Sequence, residues 1–360
     1  MCIRDSLNSQ PTEEAALSLI QEGKHRLKRY DLNLCKIHSN AKLVRDAFPS
    51  KDPQPTIMEL KPADNPSSDS DQEKSSSLGL QWHIREDVFS IKMQFKDRPK
   101  TKRGFLGHVM APYDPQGIAS PALLSCKLLQ REIFPPIDQD PHKLHSLGWD
   151  DPIPALFEKQ WNSMIKTCQD VQKISIPRPF YPVGHGTPKH QQLYAFADAS
   201  DLATCYAIYL RTVTSDDSIH VALVCGNSKV LPKGVSIKGQ LSIPRAELNA
   251  AKDLAEQVLQ LEVGLDIPEL QPTKYFTDSL DVLSQINNTT DANKRYITSR
   301  IQTIRKISSA SQWQYIPTSE NPADIGTRPI KVEQLQASMW FKGPDFLQQN
   351  PITSTKPKQE

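Results

Sequence analysis

Four carboxylates spread over the C-terminal half carry the chemistry that this sequence could do. Asp198 ends the apolar run Leu193-Tyr194-Ala195-Phe196-Ala197 and is followed by Ala199-Ser200. Glu247 lies just inside a helix opened by Pro244. Asp278 ends the strand-like run Tyr275-Phe276-Thr277, and Asp324 closes Asn321-Pro322-Ala323. Strand ends and helix starts are where a fold can aim several carboxylates at one point. Clustered carboxylates repel unless cations neutralise them, so a cluster implies hard divalent metals. Two such metals about 3.5–4 Å apart are a recurring device for phosphodiester hydrolysis.

The bulk properties set the frame for these residues. A chain of 360 residues predicts two or three domains. With 43 basic and 41 acidic residues, overall charge says nothing about nucleic acid, and only local patches could. A hydrophobic content of 38% with 29 prolines predicts breaks and linkers. Cys2, Cys35, Cys126, Cys168, Cys205 and Cys225 are widely spaced without a Cys-x-x-Cys, which argues against a zinc ribbon and for a reduced, intracellular chain. No apolar run approaches the roughly 18 residues of a membrane span. With no signal peptide visible, the sequons at Asn287 and Asn288 are expected to be unused. Met1 to Ser6 differ in character from the rest of the chain and read either as a native start or as a cloning remnant.

The elements that must position the carboxylates follow from periodicity. Leu193–Ala199, Thr204–Arg211 and His220–Ser228 read as three consecutive strands, with a turn at Thr214-Ser215-Asp216-Asp217. The helix after Pro244 turns Leu248, Ala251, Leu254, Ala255, Val258 and Leu261 inward. Lys274–Thr277 is a short strand, Leu280–Ile286 and Ala292–Ile307 are helices, and Trp313–Ile316 is a final strand. The fold class is α/β, a mixed sheet with flanking helices.

Upstream, Thr12 caps a helix whose apolar face is Ala16, Leu17, Ile20 and Leu27, and Tyr30–Asn40 is strand-like. Residues 51–77, with four prolines followed by serines and acids, read as a disordered insertion. Leu78–Phe95 predicts two paired strands with a turn near Arg85-Glu86-Asp87. Residues 103–134 are helical with a break at Pro112-Tyr113-Asp114-Pro115, and another helix spans Ile153–Ile174 with Phe157, Trp161 and Ile165 on one face. Trp149, Trp161, Trp313 and Trp340 are expected in packing roles, and the scattered histidines show no metal spacing.

The order Asp, Glu, Asp, Asp, at intervals of 49, 31 and 46 residues, resembles ribonuclease H. More narrowly, Phe196-Ala197-Asp198-Ala199-Ser200, Ile243-Pro244-Arg245-Ala246-Glu247-Leu248, Thr277-Asp278-Ser279 and Asn321-Pro322-Ala323-Asp324 resemble the ribonuclease H region of Pao/BEL-type LTR retrotransposon polyproteins. Leu34-Cys35-Lys36 with Ser39-Asn40, and Leu78-Gly79-Leu80-Gln81-Trp82, are similar to the late palm of their reverse transcriptase. Tyr113 to Ile118 and Trp149 to Pro154 resemble its thumb and connection, and Trp340-Phe341, Gly343-Pro344 and Leu347 the segment after the ribonuclease H domain.

The resemblance implies a partial reverse transcriptase palm over 1–98, a helical thumb/connection over 99–186, a ribonuclease H-like domain over 187–330 and a C-terminal tail over 331–360. It implies two Mg²⁺ ions, with Mn²⁺ as an alternative, held by Asp198, Glu247, Asp278 and Asp324. The reaction would be endonucleolytic hydrolysis of the RNA strand of RNA–DNA hybrids, leaving 5′-phosphate and 3′-hydroxyl ends. The implied partners are the hybrid and the rest of the polyprotein, polymerase palm and integrase included, in a cytoplasmic particle or the nucleus.

The chain departs from the family pattern in three places. It has no Tyr-x-Asp-Asp and hence no polymerase active site, and no Asp-Thr-Gly or Asp-Ser-Gly of an aspartic protease. Many ribonucleases H carry a His in the loop before the last Asp, but Pro317-Thr318-Ser319-Glu320 offers only Glu320 as a substitute. An integrase shares the fold but places its Glu last; here Glu247 comes second. A catalytically silent module that binds nucleic acid or supports a polymerase is the competing reading.

Several further residues have two readings each. Ser200 and Ser279 are either turn hydroxyls or contacts to the nucleic-acid backbone. Arg245 either reaches a phosphate or is an exposed cation at a helix start. Arg328 pairs with Asp324 or with substrate. Lys294, Arg295, Arg300, Arg305 and Lys306 form either a phosphate-binding basic helix or a solvated face. Hybrid recognition would rest on backbone shape and the 2′-hydroxyl rather than on base reading.

Overall fold

The structure is a computed structural model that describes residues 10, 12–34, 37, 39–49, 57–60, 79–84, 86–93, 96–135, 140–181, 186–232, 242–265, 267–288 and 295–350. The carboxylates belong to a five-stranded sheet in the order β7-β6-β5-β8-β9. Its strands are β5 (Pro188–Ala199), β6 (Ala203–Thr214), β7 (Ile219–Val230), β8 (Gln271–Thr277) and β9 (Trp313–Tyr315). β5, β6 and β7 form an antiparallel meander, whereas β8 runs parallel to β5 and β9 parallel to β8. Parallel pairing requires crossover connections, and helices supply them. These are α6 (Ile243–Leu265) before β8, and α7 (Leu280–Asn287) with α8 (Arg295–Ile307) before β9.

β5 is the central strand, and residues 193–200 are all buried. A strand covered on both faces reads as a continuous apolar run, which is why Leu193–Ala197 shows no polar alternation. Alternate residues divide between two cores. Leu193, Ala195, Ala197, Ile208 and Leu210 pack with Leu248, Ala251, Leu254, Ala255 and Val258 of α6 and with Ile301 and Ile304 of α8. Tyr194, Phe196, Tyr209 and Phe276 face the other way.

That second face is covered by the upstream helices and the C-terminal segment. α3 (Lys102–Val109), α4 (Ser120–Ile133) and α5 (Glu158–Asp170) share one apolar cluster with this face of the sheet and with Trp340, Phe346 and Leu347. The C-terminal segment, including α9 (Val332–Ala337), is therefore part of the core as far as Leu347 rather than a tail. Trp340 is fully buried; its Nε1 donates to the Ile118 carbonyl at 2.9 Å, and the Tyr209 hydroxyl donates to the Trp340 carbonyl at 2.7 Å. Arg211 donates to the carbonyls of Leu347 and Gln349, each at 2.8 Å. At the same junction Gly117 has φ +67°, and a Cβ there would lie 1.6 Å from the Gly226 carbonyl oxygen. Only glycine permits that conformation at that separation.

A second sheet holds β1 (Ile57–Leu60), β2 (Gly79–His83), β3 (Val88–Lys92) and β4 (Ser175–Pro177), in that order and antiparallel throughout. β1 lies inside the stretch expected to be disordered; its backbone pairs with β2. The β2–β3 turn is fixed by Asp87, which accepts from Trp82 Nε1 at 2.9 Å and from Arg178 Nε at 2.6 Å. The helices α1 (Glu13–Lys28) and α2 (Lys42–Ala47) precede it, and Thr12 caps α1. Between them the described residues of 30–40 form no strand. Among the described residues no helix is long and apolar enough to cross a membrane.

Candidate active site

The last register pair between β5 and β8 is Ala197 with Thr277. Asp198 and Asp278 each follow by one residue, so the parallel strands bring two carboxylates to the same edge of the sheet. Asp198 is buried and Asp278 half-buried. Glu247 comes from the first turns of α6, where Pro244 is compatible with a helix start because no intrahelical N–H is lost. The Ser279 hydroxyl caps α7 by accepting from the Val282 N–H and donates to Glu247 Oε2 at 2.6 Å. It thus ties the helix that bears the glutamate to the strand end that bears Asp278.

Asp324 does not lie on an α-helix. It occupies a 3-10 turn, Pro322–Gly326, capped by Asn321. Asn321 is buried; its amide donates to the Ala197 carbonyl at 3.1 Å while its side-chain oxygen accepts from the Ala323 N–H. The residue before Asp198 is thereby joined to the turn that bears Asp324. Ser200 adds a second tie, donating to the Thr327 carbonyl at 2.8 Å. Gly326 packs directly beneath, where a Cβ would lie 2.3 Å from Cys205 Sγ.

The electrostatics follow from this convergence. Burial pushes the Asp198 carboxyl up to about 8, and the negative charges of Asp278, Asp324 and Glu247 push the same way. Glu247 is also raised, by burial first and then by Asp278 and Asp281, against the opposing Ser279 hydroxyl. All four carboxylates have donors: Glu247 has Ser279, Asp278 the Thr318 hydroxyl at 2.6 Å, Asp324 Arg328 at 2.8 Å, and Asp198 the backbone N–H of Ala199, which offsets its burial only in part. Asp198 is the one that keeps its excess of negative neighbours.

An all-carboxylate oxygen set suits a hard divalent cation. As the side chains stand, no three His, Cys, Asp or Glu among the described residues are grouped closely enough to hold a metal ion together. The donor chemistry nevertheless fits such an ion. A bound dication would offset what raises Asp198, its burial first and then the negative charges of its neighbours.

The other sequence-predicted residues divide. Ser200 and Ser279 are buried, and their hydroxyls donate to the Thr327 carbonyl and to Glu247. Arg328 pairs with Asp324, as one of its two readings had it. Arg245 and Arg300 both lie against the ring of Tyr296, at 5.1 and 3.4 Å from its centroid. Arg300 also donates to Asn249 and to the Tyr296 carbonyl, so much of its donor capacity is used internally. Arg305 ties α8 to carbonyls at the end of α7, Ile286 among them. Arg295 and Lys306 are exposed on α8. Lys294 lies outside the described residues. Trp149 is 53% exposed rather than packed, resting on Phe134. Thr318 and the tying role of Asn321 were missed, although both lie in or beside segments singled out in the sequence.

Residues 101–279 match the family model described as the Pao retrotransposon-like RNaseH-like domain. This part of the chain is similar to that family. The matched Pao RNaseH-like region begins at α3, so it includes the helices beneath the sheet as well as Asp198, Glu247 and Asp278. Its strand order and crossovers form an RNase H-like fold, a mixed sheet with flanking helices. Among solved structures, RNase H1 from the halophilic archaeon Halobacterium salinarum NRC-1 is 15% identical, with 41% of this chain and 99% of that one covered and a TM-score of 0.25. LC11-RNase H1 in complex with an RNA/DNA hybrid is 13% identical, covering 38% and 92%, with a TM-score of 0.26. The foamy viral protease-reverse transcriptase in complex with dsDNA is 10% identical, covering 67% and 44%, with a TM-score of 0.19. No curated protein matches the chain.

Proposed function

We propose that this chain is a metal-dependent ribonuclease H-type endonuclease that cuts the RNA strand of RNA–DNA hybrids. The observation that carries the reading is the side-by-side placement of Asp198 and Asp278 beyond the Ala197–Thr277 pair, with Glu247 and Asp324 brought in by α6 and the 3-10 turn. Asp198, Glu247, Asp278 and Asp324 would hold two Mg²⁺ ions, with Mn²⁺ as a substitute. When bound, such ions lower the pKa of an attacking water and stabilise a leaving oxygen. The chain's own residues do the positioning. Ser279 orients Glu247, Asn321 and Ser200 hold the Asp324 turn against β5, and the buried sheet end excludes bulk water from Asp198. Arg245, Arg295 and Arg300, on or beside α8, would meet the phosphate backbone.

In this reading the chain is a piece of a retrotransposon polyprotein, with the small sheet a palm remnant, α3–α5 a thumb or connection, and polymerase and integrase segments as partners in a cytoplasmic particle or the nucleus. The test is incubation of end-labelled RNA, alone and annealed to DNA, with Mg²⁺ and with EDTA. Cleavage of the hybrid only, with 5′-phosphate products and only with Mg²⁺, is the expected result. Hybrid that is bound but left intact would instead identify a catalytically silent binding module.

A further inference from the structure

The loop between β9 and the Asp324 turn is clamped at both ends to the residues that precede the two strand-end aspartates. The Ile316 N–H donates to the carbonyl of Thr277, just before Asp278, at 3.1 Å. Five residues on, the Asn321 amide donates to the carbonyl of Ala197, just before Asp198, at 3.1 Å. Within this span Thr318 starts a single 3-10 turn, closed by the Asn321 N–H on the Thr318 carbonyl at 3.0 Å. From that position its hydroxyl donates to Asp278 Oδ2 at 2.6 Å, a short hydrogen bond to a carboxylate. One carboxylate oxygen of Asp278 is thereby held by the loop.

We propose that Thr318 is a positioning residue for Asp278, and that its hydroxyl sets the affinity of the carboxylate site for a divalent cation. The inference rests on the four-carboxylate reading and adds to it a residue from the loop that lacks the family's histidine. A carboxylate with one oxygen fixed by an outside donor presents the other in a restricted direction. Loss of such an outer partner typically weakens metal binding by about 10- to 100-fold. The side chain is exposed, so the hydroxyl can be removed without opening a core cavity.

The experiment is isothermal titration of Mn²⁺ alone into the wild-type chain and into Thr318→Val, Thr318→Ala and Thr318→Ser. Valine keeps the shape and removes the donor, whereas serine keeps the donor. The expected result is Mn²⁺ binding weakened about 10-fold or more in the valine and alanine variants and restored to near wild type by serine. Wild-type affinity in valine or alanine would overturn the inference and leave the carboxylate reading standing. Tighter binding in those variants would also overturn it, because the hydroxyl would then compete with the ion. A folded wild-type chain that takes up no Mn²⁺ would sink the carboxylate reading, and this inference with it.

Discussion

Asp198 and Asp278 stand at the ends of adjacent parallel strands, each one residue past the paired couple Ala197 and Thr277. Neither position is exposed, and Asp198 bears the consequence: burial first, and three neighbouring carboxylates after it, push its carboxyl up to about 8. Four residues distributed over 127 positions of sequence thus act as one electrostatic unit.

The first prediction concerns pH. The folded-state pKa of Asp198 lies above its unfolded value of roughly 3.9, so between about 4 and 8 the folded chain binds the extra proton. Stability should therefore fall as pH rises through this window, and Glu247, also raised, contributes with the same sign. In EDTA, Asp198→Asn should flatten the slope and be more stable than wild type at pH 8, by an amount on the order of a few kcal/mol. Urea midpoints at pH 5 and pH 8 for both chains measure this. Identical slopes would contradict it.

Asn321 should matter beyond its size. Its amide is buried and bridges the Ala197 carbonyl and the Ala323 N–H. Asn321→Leu leaves both partners unsatisfied and should cost about 1–3 kcal/mol for each group left buried without a partner. Chemical denaturation gives the loss. A leucine variant as stable as wild type would show that the turn is held by other contacts.

The sheet should not stand alone. Tyr209, Phe276 and Phe196 are covered by Trp340, Phe346 and the helices of residues 101–176. A fragment of residues 187–330 should therefore be insoluble or lack cooperative unfolding, whereas 99–349 should fold. Within the full chain, Trp340→Ala should cost about 3–5 kcal/mol. Thermal melts of these chains are the check, and a cooperative melt from 187–330 would refute the dependence.

Charge on α8 should separate binding from folding. Arg295 is exposed, and Arg295→Ala should weaken hybrid binding evenly across sequences and reduce the salt slope by about 1. Arg300 is engaged with Asn249 and Tyr296, so Arg300→Ala should lower stability as well. Binding titrations at several salt concentrations distinguish the two.

In the sequence β5 to β9 are legible as apolar runs, α6 to α8 as helical repeats, and the four carboxylates as acids at or beside the ends of recognisable elements. What depends on distant partners was not legible. Ser200 reads as a turn hydroxyl or a ligand contact; it does accept from the Leu202 and Ala203 N–H groups of its turn, but its tie to Thr327, far along the chain, has no local signal. Asn321 reads as part of a motif, but the carbonyl that it holds lies 124 residues earlier. Thr318 reaches Asp278 across 40 residues. Residues 331–349, polar and broken by Gly343 and Pro344, resemble a tail until Arg211 and Tyr209 are seen to take their carbonyls. Trp149 shows the reverse error, since a large aromatic was assigned to packing by type although more than half of its surface is open.

The central claim is that the four carboxylates form a working nuclease site, and Asp278→Asn tests it most directly. The change removes one charge at almost constant shape, so folding and hybrid binding can be matched to wild type before cleavage is compared. The account expects Mg²⁺-dependent cutting of the RNA strand by the wild-type chain and its loss, by about 100-fold or more, in the variant. Equal cutting by both chains, or none by a folded wild-type chain that binds hybrid, would contradict it.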